Sequence, residues 1–237
     1  MKKTEISFII PVQNEENTLK QTAEEFFLSA ENFGYKADII FIDNGSCDNS
    51  LKILFDLRSQ YDDIKIISRK NPGNYTDLIA SALPKASGDY VVATGNCLKK
   101  YPQKIKKIID QIKNYPVDLV LIRSIPANKG IARISDKIIL AASNFLTRCC
   151  LPFAISPSFL TGKELNIKLI KTLNHPGNII DKALLYAQKK VYIDFDASPE
   201  NKKLKPQISS LNMFLNRLFT YPKIRKKHIV KLRLHGL

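Results

Sequence analysis

The residues best suited by type and spacing to do chemistry lie within residues 37–50, A-D-I-I-F-I-D-N-G-S-C-D-N-S. A short β-rich apolar run, 39–42, ends at Asp43; Asn44, Gly45 and Ser46 then form a turn, and Asp48 stands at the expected N-cap of a helix. The Asp43 carboxylate is thereby presented at the C-terminal end of a strand. In open α/β sheets that is where ligands bind, because the loops leaving the strands form a crevice beside helix N-termini that attract phosphate. A plain strand-turn-helix joint with a capping aspartate contains the same residues, and on this stretch alone both readings stay open. Two further stretches carry polar groups at equivalent places. Arg69-Lys70-Asn71-Pro72-Gly73-Asn74-Tyr75 is a basic, Pro/Gly-marked loop, and the strand candidate 89–94 ends in Gly95-Asn96-Cys97, with Lys99 and Lys100 just beyond.

The elements that must position these groups alternate. Residues 6–11 read as a first strand. A helix follows with Leu19, Ala23, Phe26, Phe27 and Ala30 at helical spacing and Gly34 as its stop. The strand 39–42, a helix from Asp48 through Leu57, a strand at 64–67, a helix from about Thr76 to Lys85, a strand at 89–94, a helix opened by Pro102 and a strand at 117–122 ending in Arg123 continue the series. Strand and helix in alternation predict a parallel sheet. Beyond Ser124 the pattern changes to a long helical candidate at 138–151, a Ser/Pro turn region at 156–162, helices near 164–173 and 178–189, and a late strand at 191–195.

At 237 residues the chain suits one sizeable α/β domain with appendages. Its opening apolar run is too short for a secretory h-region, and no stretch approaches the roughly 20 apolar residues that cross a bilayer; a cytoplasmic location is expected. Cys47, Cys97, Cys149 and Cys150 lack metal-site spacing and the density of a disulfide scaffold. His175, His228 and His235 are scattered. The formal charge of +15 is uneven: Lys202, Lys203, Lys205, Arg217, Lys223, Arg225, Lys226, Lys227, Lys231 and Arg233 lie after position 200 with no acidic residue among them. A boundary near 200 is expected, with a domain at 1–200 and a basic amphipathic extension at 201–237. In that extension Leu211, Met213, Phe214, Leu215, Leu218 and Phe219 precede a basic cluster, a pattern suited to an anionic membrane surface. No recognisable nucleic-acid module accompanies the charge, so nucleic acid is not the expected partner.

Ile6-Ser7-Phe8-Ile9-Ile10-Pro11-Val12-Gln13-Asn14-Glu15-Glu16, then Ile42-Asp43-Asn44-Gly45-Ser46-Cys47-Asp48, then Gly88-Asp89-Tyr90-Val91-Val92 resemble, in order and spacing, the N-terminal half of a family 2 glycosyltransferase of GT-A fold. The second half is similar, more loosely, to the polyprenyl-phosphate branch, the dolichol-phosphate mannose synthase type. The resemblance covers roughly residues 6–196. It implies a mostly parallel Rossmann-like sheet flanked by helices, and transfer of a sugar from a nucleotide-diphosphate sugar, with a polyprenyl-phosphate-type lipid acceptor at the cytosolic membrane face. By the same resemblance Pro11, Val12 and Glu15 lie beside the nucleobase and ribose, Asp43 accepts a hydrogen bond from the base, Asn44 and Asn96 belong to the nucleotide-sugar site, and the loop carrying Gly73 closes over the nucleotide. Arg123 is the match for the acceptor phosphate, with Arg133 and Lys137 as weaker choices.

One departure outweighs the matches. The resemblance implies a divalent cofactor, Mg²⁺ or Mn²⁺, held by an Asp-X-Asp motif, and the aligned residues here are Gly95, Asn96 and Cys97. Hard cations take carboxylate oxygens, which glycine and a thiol do not supply. Gln13 also stands where an aromatic residue is common. Two readings follow. In one, the transferase neutralises its leaving diphosphate with fixed cations, Lys99 and Lys100, or Arg69 or Lys70 across the crevice. In the other, a retained fold has lost its chemistry and serves as a catalytically silent nucleotide-binding or scaffold protein. The plain alternative for Lys99 and Lys100 is an ordinary solvated turn.

Overall fold

A computed structural model describes residues 5–32, 34–95, 98–99, 102–114, 117–125, 155–175, 178–196 and 229–231. Strands β1 (Glu5–Val12), β2 (Lys36–Asn44), β3 (Ile64–Arg69), β4 (Tyr90–Ala93), β5 (Leu119–Ile125), β6 (Ile155–Gly162), β7 (Lys190–Asp196) and β8 (Ile229–Lys231) form one sheet in the order β3-β2-β1-β4-β6-β5-β7-β8. The helices are α1 (Leu19–Asn32), α2 (Ser50–Gln60), α3 (Tyr75–Ala82), α4 (Ile105–Asn114), α5 (Lys163–Lys171) and α6 (Ile179–Tyr186).

β1 and β2 are near-continuous apolar runs because both of their faces are covered, as parallel strands require. Alternate residues go to opposite cores. Ile6, Phe8, Ile10 and Val12 of β1 join Leu19 and Phe26 of α1, Leu54 and Leu57 of α2 and Ile105, Ile108 and Ile109 of α4. Ile9 of β1 with Ile40 and Ile42 of β2 joins Leu78 and Ile79 of α3, Leu165 and Leu169 of α5 and Ile180 and Leu184 of α6. The result is three layers, helix on sheet on helix.

β2 and β4 pair with β1 on its two sides, both parallel. The chain therefore winds one way through β2 and β3, then crosses to the other side of β1 to lay down β4. That reversal opens a crevice at the C-terminal ends of β1 and β4, the usual ligand position in such sheets.

One expectation is corrected. Residues 156–162 form no turn: they lie in β6, which runs antiparallel between β4 and β5. Pro157, the residue that suggested a turn, falls where the β5–β6 register shifts between Leu121 and Arg123, so its missing N–H interrupts no regular ladder. Phe159 and Leu160 then bury fully, or nearly so, in opposite cores. The sheet is thus mostly parallel, as the family resemblance implies. Within the basic extension, Ile229–Lys231 pair with β7 as the sheet's last strand. The helical candidate at 138–151 and the apolar cluster at 211–219 lie outside the described residues.

Candidate donor site at the strand ends

Val12 and Asp43 face each other in register as the last paired residues of β1 and β2. Val12 is buried in the core, so it contributes backbone to the crevice, while Pro11 is half-buried beside it. Asp43 is 2% exposed. One carboxylate oxygen accepts from the Ser46 N–H at 3.2 Å and the other from the Ser68 hydroxyl at 3.4 Å. Both partners are neutral and both bonds are long. A buried carboxylate held this loosely keeps acceptor capacity for a further N–H.

Asn44 clasps the 71–75 loop. Its Oδ1 accepts from the Gly73 N–H at 2.7 Å, and its Nδ2 donates to the Gly73 carbonyl at 3.3 Å and to Gln13 Oε1 at 3.4 Å. The Gly73 amide is therefore committed to Asn44. What glycine supplies here is room: a Cβ at 73 would sit 3.1 Å from the Arg69 guanidinium carbon. Gly45 has φ +70°, the left-handed region open to glycine, and a Cβ there would meet the Lys70 carbonyl at 3.1 Å. The two loops are in close contact over the end of β2 and β3. Tyr75, at the loop's far end, is the first residue of α3 and packs against the second core. Burial pushes its phenol up from the ordinary value.

A second clasp joins the loop after β1 to the loop after β2. Asn14 adopts φ 52°; its N–H donates to Ser46 Oγ at 3.0 Å and its Oδ1 accepts from the Cys47 N–H at 2.8 Å. The Glu15 N–H donates to Ser50 Oγ at 2.8 Å, and the Glu16 N–H donates to Asp48 Oδ2 at 3.1 Å. Glu16 Oε2 accepts from both the backbone and side-chain nitrogens of Asn49, each at 2.9 Å. Asp48 is consequently not the N-cap of α2. Asn49 holds that place without a capping side-chain bond, because its side chain is turned to Glu16, and Asp48 accepts from the Ser50 N–H at 2.9 Å. Nothing in sequence spacing ties residues 14–16 to 46–50. The available signal was the density of short polar residues in both loops.

Hydrogen bonds from the Ser50 hydroxyl, and then from the Ser50 and Glu16 amides, hold the Asp48 carboxyl below its ordinary 3.8 against the opposing effect of partial burial. A depressed carboxylate stabilises the fold above its unfolded pKa, and that contribution is lost as pH falls through the folded value. Asp48→Asn is therefore expected to lower the melting temperature at neutral pH and to flatten the acid limb below about pH 4. Melting curves from pH 7 down to pH 2 check this.

The β4 end closes the crevice. Thr94 donates its N–H and hydroxyl to the Ile9 carbonyl at 3.0 and 2.9 Å. The Gly95 N–H donates to the buried Ser158 hydroxyl at 2.8 Å, and the Lys99 N–H donates back to the Gly95 carbonyl at 3.2 Å. This first turn brings Lys99 Nζ to 2.6 Å from Glu15 Oε1. The two side chains are 12% and 27% exposed, so Lys99 belongs to no ordinary solvated turn. Asn96 and Lys100 lie outside the described residues. Arg123 lies on β5 opposite Ile155 and Asp194. β5 runs parallel to β4, and Ala93 and Leu121 both pair with Phe159. The backbone at 123 is therefore at the same edge of the sheet as Gly95, two strands away, or roughly 10 Å.

Residues 7–179 match the description "Glycosyl transferase family 2". The chain belongs to glycosyl transferase family 2. Among curated relatives, a protein of Proteus mirabilis named undecaprenyl-phosphate 4-deoxy-4-formamido-L-arabinose transferase is 32% identical over 110 residues, 46% of this chain and 33% of the relative. A Pseudomonas fluorescens protein of the same name is 27% identical over 45% of this chain and 31% of its own length. The chain thus spans about a third of the length of these relatives. The fold is that of solved GT-A enzymes. S. aureus TarS 1-349 in complex with UDP superposes at TM-score 0.52 with 16% identity over 92% of this chain and 72% of that one. Glucosyl-3-phosphoglycerate synthase from Mycobacterium tuberculosis with uridine diphosphate gives 0.51 with 19% identity over 86% and 74%.

The divalent ion implied by the family resemblance does not fit this family 2 chain. Position 95 offers only backbone, its N–H is committed to Ser158, and no three His, Cys, Asp or Glu side chains converge among the described residues. Glu15, the carboxylate that reaches the turn after β4, already carries an ammonium group.

Proposed function

We propose that the chain transfers a sugar from a nucleoside-diphosphate sugar to a polyprenyl-phosphate-type acceptor. The observation that carries this reading is the buried Asp43 at the sheet's reversal point, with the 71–75 loop pinned across it by Asn44. The order of these groups along the family 2 region and the undecaprenyl-phosphate specificity in the relatives' names support it.

Asp43 reads a base N–H, Pro11 and Val12 line the base and ribose with their backbone, and the 71–75 loop covers the diphosphate. An acceptor phosphate oxygen forms the bond to the anomeric carbon as the bond from that carbon to the diphosphate oxygen breaks; the nucleoside diphosphate leaves with the electron pair. A phosphate monoester is already ionised at neutral pH, so the step needs positioning and charge neutralisation rather than a strong base. Arg123, at the same sheet edge as Gly95, is assigned to the acceptor phosphate. The basic extension adds attraction to an anionic membrane surface, about 1 kcal/mol per Lys or Arg near it, and the cytosolic face is where both substrates would meet. No helix among the described residues is long and apolar enough to cross a membrane.

Incubation with polyprenyl phosphate and a panel of nucleotide sugars tests the reading. The expected result is acceptor-dependent release of one nucleoside diphosphate with an equal amount of glycosylated lipid phosphate. Release by none of the donors, with or without lipid, would favour the catalytically silent domain. Arg123→Glu is expected to raise the lipid KM by about tenfold with the donor KM unchanged, since a charge-assisted phosphate contact becomes a repulsion. An unchanged lipid KM would remove Arg123 from the acceptor site.

A further inference from the structure

We propose that Lys99, held in place by Glu15, supplies the positive charge at the donor diphosphate, so that the site takes a nucleoside diphosphate without a divalent ion. This deepens the donor-site reading above and rests on it. Glu15 follows β1 and Lys99 follows β4, the two strands between which the winding of the sheet reverses, so the pair spans the crevice itself. The Lys99 N–H bond to the Gly95 carbonyl fixes the side chain one turn past the residue that replaces the first motif carboxylate. Its ammonium makes one side-chain hydrogen bond among the described residues, to Glu15, which leaves two N–H donors for an anion.

The charge count agrees. A divalent cation on two carboxylates is formally neutral, and so is one ammonium on one carboxylate. An incoming diphosphate therefore meets the same net charge in either arrangement, with a preorganised donor aimed at it. A metal ion added beside Glu15 would instead lie within a few ångströms of a like charge in a partly buried place, where repulsion is strong. Fold stability alone does not account for the pair, because partly buried ion pairs roughly break even against desolvation.

The experiment is calorimetric titration of the full chain with UDP, GDP, ADP, CDP and dTDP, each in chelator and in excess Mn²⁺. One diphosphate is expected to bind with the same affinity in both. Lys99→Met is expected to weaken it by roughly ten- to a hundredfold in chelator, and Lys99→Arg, which keeps a cation, to recover most of that loss and show that the site still folds. In the Lys99→Met background, Gly95→Asp with Cys97→Asp restores two carboxylates and is expected to make binding depend on Mn²⁺. Wild-type binding only with Mn²⁺, or chelator-resistant binding unaffected by Lys99→Met, would overturn this inference and leave the donor site standing. Binding of no diphosphate in either condition would overturn both.

Discussion

Asp43→Asn is expected to weaken nucleoside-diphosphate affinity by roughly a hundredfold, about 3 kcal/mol, while the melting temperature moves by only a few degrees. The two effects separate because the carboxylate has two kinds of work. Toward the protein it accepts from the Ser46 N–H and the Ser68 hydroxyl, and an amide oxygen can take over the first of these. Toward the ligand its proposed work is to accept from a base N–H, and there the variant can present an NH₂ group, donor against donor, in a buried place. Titration of wild type and variant with the same diphosphate, alongside thermal melts, measures both. Equal affinity would mean that the carboxylate serves only the turn.

Gly88→Ala is expected to cost about 3 kcal/mol of stability, or roughly 6–12 °C in melting temperature for a domain of this size. Glycine is required at 88 by close approach and not by a positive φ. A Cβ would lie 2.6 Å from the Ser7 nitrogen, 2.9 Å from the Ile6 carbonyl carbon and 2.9 Å from the Tyr90 carbonyl oxygen, all of them backbone atoms that a rotamer change cannot move. The approach is fixed by Ser7, whose hydroxyl accepts from the Ser87 and Gly88 N–H groups at 3.1 and 2.8 Å while donating to Asp38. Asp38 is in turn paired with Lys65 at 2.7 Å. This cluster ties the N-terminal ends of β1, β2 and β3 to the segment entering β4, at the opposite end of the sheet from the donor site. Gly34→Ala makes the comparison, since φ +73° there faces open space and the cost is backbone strain alone, about 1 kcal/mol. Denaturant or thermal unfolding of both variants ranks them, and a Gly88→Ala loss no larger than that at Gly34 would contradict the packing account.

The first half of the fold was legible because its signals are local. The apolar runs of β1 and β2, the helical spacing of Leu19, Ala23 and Phe26, and Gly34 at the end of α1 each declare an element without reference to the rest of the chain. Strand order is not local, and neither is β6. Pro157 and the flanking serines carry the signature of a turn, and only pairing with β4 and β5 makes them a strand. The site divides the same way. Asp43 and Asn44 could be placed at a strand end from sequence, and the departure at Gly95, Asn96 and Cys97 was visible as soon as the resemblance was drawn. The Lys99–Glu15 pair joins residues 84 apart in sequence, so no spacing announces it. The clasp of Asn14, Glu15 and Glu16 on Ser46, Asp48 and Ser50 likewise exists only after β1 and β2 are side by side.

Amide hydrogen exchange with and without a saturating nucleoside diphosphate tests the location of the donor site most directly. The account predicts ligand-dependent protection of residues 43–46 and 69–74, the two loops that Asn44 joins, with no change around Lys36, Asp38, Asp63 and Ser87 at the far end of the sheet. Protection confined to that far end, or binding that leaves both loops exchanging as in the free protein, would contradict it.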